Sequence, residues 1–138
     1  MYKHQTQIRV RYGETDQMGY LYYGNYALYY EVGRVEMLRA LGMTYRMMEE
    51  ELKVMMPVMT LNTRYIRPVF YDDLITVQTT INEIPERSIT FHMELFNESG
   101  KLVNGGTVKL GFIDAITKKR INAPASFVEK ILPFFEKE

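Results

Sequence analysis

The sequence predicts an α+β fold in which one long helix packs on an antiparallel sheet, and two observations carry that expectation. Between Asn25 and about Leu41, apolar residues recur at steps of three and four, the spacing of one helical face. From Met56 onward, runs of alternating apolar and polar residues are divided by turn-forming clusters, as in antiparallel strands. A helix with one apolar stripe and a sheet with one apolar face bury each other. A chain of 138 residues is large enough for one core and too short for two, so residues 1–138 are expected to form a single domain.

Taken in order, residues 5–11 alternate at Ile8 and Val10 and read as a half-buried strand, with His4 in a frayed end before it. A glycine-rich loop follows. The helix over residues 25–41 places Tyr26, Tyr29, Tyr30, Gly33, Met37, Leu38 and Leu41 on one face and leaves Arg34, Glu36 and Arg39 on others. Asn25 is its expected N-cap and Gly42 its stop. Thr44 caps a short second helix through residue 51.

Strands are expected over residues 58–66, 74–84, 89–96 and 102–114. Pro68 ends the first of them, and residues 85–88 and 97–100 form hairpin turns. Gly105-Gly106 marks a bulge or a close backbone approach. Pro124 opens a terminal helix over residues 125–135. The predicted order is strand, long helix, then four strands in antiparallel succession.

Composition removes several classes of function. Formal net charge is +0 with no basic run, which argues against nucleic acid as a partner. There are 0 cysteines, hence no disulfide, no thiolate nucleophile and no cysteine metal site. No apolar run is long enough to cross a bilayer and no secretory core precedes the first strand, so stable membrane insertion is not expected and a cytoplasmic location is. With 2 histidines, His4 and His92, neither a Ser-His-Asp arrangement nor a zinc cluster is evident, and no metal or cofactor is expected.

The chemistry concentrates in Tyr12-Gly13-Glu14-Thr15-Asp16-Gln17-Met18-Gly19-Tyr20-Leu21-Tyr22-Tyr23-Gly24-Asn25-Tyr26. Gly13, Gly19 and Gly24 let the backbone turn sharply. Asp16 is a candidate base or nucleophile. The helix start that follows offers unpaired N–H groups and a positive dipole end, where an oxyanion is stabilised. Those parts suffice to hydrolyse an activated acyl group.

The same stretch resembles the signature of the hotdog-fold acyl-CoA thioesterases of the 4-hydroxybenzoyl-CoA thioesterase family. Tyr12, Glu14, Asp16, Gly19, Tyr22-Tyr23, Gly24, Asn25 and Tyr26 carry the resemblance. It continues through Tyr30-Glu31 and Arg34-Val35-Glu36-Met37-Leu38-Arg39, and returns at Tyr65-Ile66-Arg67-Pro68 and Asp72-Asp73-Leu74. The resemblance implies a hotdog fold, one long central helix wrapped by a five-stranded antiparallel sheet. It implies a homodimer or homotetramer with active sites at the subunit interface. It also implies that Asp16 attacks the thioester carbonyl or activates water to do so, while the backbone N–H of Tyr23 polarises that carbonyl. A related bacterial branch, associated with the Tol–Pal system, often has His where Tyr23 stands, which favours the hydroxybenzoyl-type loop here.

Thioester chemistry suits so sparse a site, because a thiolate leaves readily whereas an amide nitrogen must first be protonated. Gly24, Asn25, Thr60, Arg64 and Arg87 are the expected substrate contacts, the arginines as partners for coenzyme A phosphates. Glu31 is a further carboxylate, placed to pair with Arg34 or Arg67. Glu14 shares a face with Asp16 if that segment is extended. The alternative function is a non-catalytic module that binds acyl-CoA or acyl carrier protein. A hotdog dehydratase ranks last, since it needs a histidine near the helix and none lies between His4 and His92.

Overall fold

The computed structural model describes residues 1–136. Its strands are β1 (Tyr2–Arg9), β2 (Val54–Met55), β3 (Val58–Tyr65), β4 (Leu74–Ile81), β5 (Ser88–Phe96), β6 (Leu102–Gly111) and β7 (Ile113–Asp114). Its helices are α1 (Tyr26–Ala40), α2 (Tyr45–Glu50), α3 (Ala125–Ile131) and α4 (Pro133–Glu136). Two 3-10 turns, Tyr12–Glu14 and Tyr23–Asn25, sit in the loop between β1 and α1.

Five strands form one antiparallel sheet in the order β1-β4-β5-β6-β3. The expected simple succession is therefore wrong in one respect. β3 does not pair with β4 but crosses to the far edge and pairs with β6, in the register Leu61 to Val108 and Tyr65 to Asn104. β1 takes the place beside β4 and begins at Tyr2, three residues earlier than the alternation suggested, so His4 is not frayed but paired opposite Thr79. The expected long last strand breaks at Phe112; its end, β7, pairs instead with β2, a strand too short to show in the sequence pattern.

α1 lies on one face of the sheet. Tyr26, Tyr29, Tyr30, Gly33, Met37 and Leu38 are buried against it, as the periodicity requires, while Leu41 is only partly buried. Gly33 sits where a Cβ would come within 2.7 Å of Thr79 Oγ1 and Val77 Cγ1, so only glycine allows the helix so close to β4. Facing the helix are Ile75, Val77 and Ile81 of β4, Ile89, Phe91, Met93 and Leu95 of β5, and Val108 and Leu110 of β6. Arg34, expected on another face, is buried beside Tyr45 because α2 folds over that side of the helix.

α1 ends as expected. Gly42 takes φ +82°, its N–H bonds Arg39 O at 3.0 Å, and the Met43 N–H reaches back to Leu38 O at 2.9 Å. Thr44 Oγ1 caps α2 by accepting the Met47 N–H at 3.0 Å. The terminal helix is divided in two at Leu132, ahead of Pro133, which has no N–H to continue the first segment. Phe127 and Ile131 of α3 bury themselves in the core, and Phe134 of α4 stacks on Tyr2 with ring centroids 4.4 Å apart.

The other face of the sheet is polar. Cross-strand rows run Lys3, Thr80, His92, Thr107, Asn62 and Gln5, Gln78, Glu94, Gly105, Arg64. β3 is exposed on both faces, with Val58, Met59, Leu61 and Tyr65 between 44% and 53% accessible. No helix of the described residues is long and apolar enough to cross a membrane.

Candidate active site

The loop from Tyr12 to Asn25 is held to α1 by Glu14. Its Oε1 accepts the Arg11 N–H at 2.9 Å and the Tyr29 hydroxyl at 2.7 Å, and its Oε2 pairs with Arg11 Nη2 at 3.0 Å. Burial raises the Glu14 carboxyl, but the bonds from the Arg11 side chain and backbone and from Tyr29 outweigh it and hold the group below the ordinary carboxylate range. Burial first, then the bond to Glu14, pushes the Tyr29 hydroxyl upward. The Glu14 carbonyl accepts two further donors, the Tyr22 N–H at 2.9 Å and Asn25 Nδ2 at 2.8 Å. Asn25 thus occupies the N-cap position of α1 without capping it; its side chain staples the loop instead. Glu14 forms no carboxylate pair with Asp16, because it lies in a 3-10 turn and not in an extended segment.

Asp16 is held differently. Its Oδ1 accepts the N–H groups of Met18 at 2.9 Å and Tyr20 at 3.2 Å, while its backbone exchanges bonds with Tyr20 and Gly19. Gly19 closes that turn at φ +81°, a conformation that strains any residue with a Cβ. The loop is supported from below by the segment after β3. The Leu21 N–H bonds Val69 O at 2.6 Å, Tyr20 bridges to Phe70, and Asp73 Oδ2 accepts the Phe70 N–H at 2.9 Å. Asp73 of the second motif therefore shapes this support, while Asp72 bonds the end of β1, its N–H donating to Val10 O at 3.0 Å and its carbonyl accepting Arg9 Nη1 at 2.8 Å.

Asp16 opens on a cavity of about 310 Å³ lined by tyrosines 20, 23, 26 and 65, with Met18, Leu21, Ile66, Arg67 and Pro68. The wall is apolar and aromatic, and Asp16 and Arg67 are its only charged members. Arg67 Nη1 is anchored on Leu102 O at 2.6 Å. Burial pushes the Tyr26 hydroxyl up to about 12, with Tyr65, Tyr30 and Asp16 adding to the effect. Tyr23 begins the 3-10 turn that leads into α1. Among the described residues its N–H has no backbone acceptor, the usual state of a helix start.

The remaining sequence candidates do not converge on this cavity within one chain. Gly24 and Asn25 lie in the Tyr23–Asn25 turn. Thr60 and Arg64 project from β3 on the face away from α1, where Arg64 borders a hollow shared with Lys3, His92 and Glu94. Arg87 lies in the turn before β5, and its carbonyl accepts Arg120 Nη2 at 2.9 Å. Glu31 is exposed and makes no ion pair with Arg34 or Arg67 among the described residues. No group of three or more His, Asp or Glu side chains among the described residues is arranged to hold a metal. In the sequence Tyr65 stands out only as part of a motif; its place in the wall arises because β3 crosses to the sheet edge.

A mixed fold with one long helix on a five-stranded antiparallel sheet, and a carboxylate loop at the helix start, defines a hotdog-fold protein. The model of the thioesterase-like superfamily matches residues 10–131. The chain is 35% identical to YneP of Bacillus subtilis (strain 168) over 102 residues, 74% of this chain and 73% of that one. It is 30% identical to the acyl-CoA thioester hydrolase YbgC of Escherichia coli O6:H1 over 121 residues, 88% of this chain and 90% of that one. The solved DHNA-CoA thioesterase of Staphylococcus aureus superposes with a TM-score of 0.83 at 33% identity, covering 99% of this chain and 88% of that one. The chain belongs to the thioesterase-like superfamily.

Proposed function

We propose that the chain, acting as one domain, hydrolyses an acyl-CoA thioester to the free acid and coenzyme A. Its membership of the family and its thioesterase relatives make it a thioester hydrolase. The observation that carries the rest is the placement of Asp16. One carboxylate oxygen is tied down by two backbone N–H groups, and the carboxylate opens on an apolar cavity beside the N-terminal turn of α1.

In that reading the acyl group enters the tyrosine-lined cavity and its carbonyl oxygen meets the Tyr23 N–H. Asp16 either attacks the carbonyl carbon, giving an anhydride that water opens, or takes the proton from the water that attacks. In both routes negative charge grows on the carbonyl oxygen, where the N–H and the positive helix end oppose it. The electron pair of the breaking C–S bond leaves on the sulfur of coenzyme A. The fixed Oδ1 aims the carboxylate so that little orientation remains to be lost. Gly24 makes room for the Tyr22 ring, which lies 2.8 Å from where a Cβ would sit, so its part toward substrate is through the backbone of the turn, and Asn25 keeps that turn against Glu14.

Thr60, Arg64 and Arg87 stand apart from Asp16 in one protomer, so in this proposal they serve substrate across a subunit interface. The exposed apolar edge of β3 supports a homodimer, or a homotetramer built from two such dimers. The test is thiol release from a panel of short, medium, long and aromatic acyl-CoAs, comparing wild type with Asp16→Asn. The expected result is turnover on at least one member, reduced roughly 10³-fold or more in the folded variant. Turnover that survives the substitution would sink the assignment of Asp16.

A further inference from the structure

Both peptide planes that flank the α-carbon of Tyr23 are fixed, and by different parts of the fold. The plane between Tyr22 and Tyr23 is fixed from within the turn, because Tyr22 O accepts the Asn25 N–H at 2.9 Å. That bond is trans, so the Tyr23 N–H on the same plane points the opposite way, out of the turn. The next plane is fixed from outside. Tyr65 Oη donates to Tyr23 O at 3.2 Å. The Tyr65 ring meets Tyr26 edge-on at 5.1 Å and Tyr23 at 6.4 Å.

Tyr65 has firm footing for this. It is the last residue of β3, and β3 is clamped two residues earlier. Thr63 Oγ1 bonds both Tyr30 Oη and Asn104 Nδ2 at 2.9 Å, and Tyr30 also bonds Asn104 Oδ1. Tyr30 and Asn104 are fully buried, so this closed network locks the strand end to α1 and to β6. Tyr65 itself is 51% exposed, so the core does not require its hydroxyl.

We propose that Tyr65 is a positioning residue, which acts through the Tyr23 carbonyl to hold the oxyanion-binding turn at the start of α1. The inference rests on the function proposed above. Without the hydroxyl, the Tyr23–Gly24 plane rocks about the α-carbon it shares with the Tyr22–Tyr23 plane; that plane, left with the single Asn25 bond, rocks with it, and its N–H spends less time aimed at the carbonyl oxygen. An oxyanion donor binds the transition state more strongly than the ground state. The loss therefore falls on kcat and not on KM.

The experiment compares the full chain with Tyr65→Phe, which keeps both ring contacts, and with Tyr71→Phe, which removes an exposed tyrosine hydroxyl outside the cavity. Steady-state kinetics on an accepted acyl-CoA, melting temperature and amide hydrogen exchange are measured on all three. For Tyr65→Phe the expected result is a kcat lower by roughly three- to tenfold, the share of one neutral hydrogen bond. KM and melting temperature stay put, and exchange quickens at Asn25, whose N–H is the hydrogen-bonded amide of the turn. Tyr71→Phe matches wild type throughout. An unchanged kcat, or a raised KM at constant kcat, overturns the proposal. If wild type turns over no acyl-CoA, the proposed function fails on its own, and exchange at the turn then decides the tether: faster exchange upholds it and unchanged exchange overturns it.

Discussion

Glu14 and Asp16 stand in the same loop, and their hydrogen bonds separate their tasks. Glu14 is satisfied by Arg11 and Tyr29, while Asp16 has only Oδ1 tied to its own turn. Glu14→Gln removes the charge from a half-buried network, and thermal unfolding should show a loss of about 1–3 kcal/mol. The sign of its pH dependence follows from its direction of shift. A carboxyl held low in the folded state stabilises it above the ordinary value of about 4.3, and that contribution fades as pH falls through the lower folded value. Wild type should therefore lose stability on acidification through that window, and Glu14→Gln should lack this part of the acid limb. An identical acid limb in both proteins would remove Glu14 from the account.

At the scale of elements, the adjacent glycines of β6 face opposite ways and differ in what they allow. A Cβ on Gly106 would lie 2.1 Å from the carbonyl oxygen of Asn62 and 2.8 Å from Tyr30 Oη. On Gly105 the nearest atom is Met93 O at 3.7 Å, an ordinary contact. Gly106→Ala should push β3 off β6, break the Tyr30–Thr63–Asn104 network and cost roughly 3 kcal/mol in denaturant titration. Gly105→Ala should be neutral or stabilising by about 0.5–1 kcal/mol, since glycine weakens a strand. Equal effects at the two positions would contradict the close approach of β3 to β6.

At the scale of the molecule, β3 ends the sheet with unpaired backbone groups and exposed Val58, Met59, Leu61 and Tyr65. Such an edge is unstable as a solvated surface and is commonly covered or paired. If a second copy covers it, Leu61→Lys should shift the chain to monomer in sedimentation and reduce turnover, because the proposed site draws on residues across that edge. A wild-type chain that sediments as a monomer at micromolar concentration would reject the assembly.

The sequence by itself determined the long helix, its glycine stop, the α2 cap, the alternating strands and the Asp16 loop. Each of these depends on residues within a few positions of one another, through helical or strand periodicity, capping and turn chemistry. Tertiary structure alone decided what depends on distant partners. Glu14 became a structural anchor because Tyr29 faces it from α1. Arg34 was buried because α2 folds over it. Gly33 and Gly106 were required where helix meets sheet and where strand meets strand. Tyr65 reached the Tyr23 carbonyl because β3 crosses to the far edge of the sheet. Local spacing encodes which face of an element is apolar, but only the completed fold decides what that face meets.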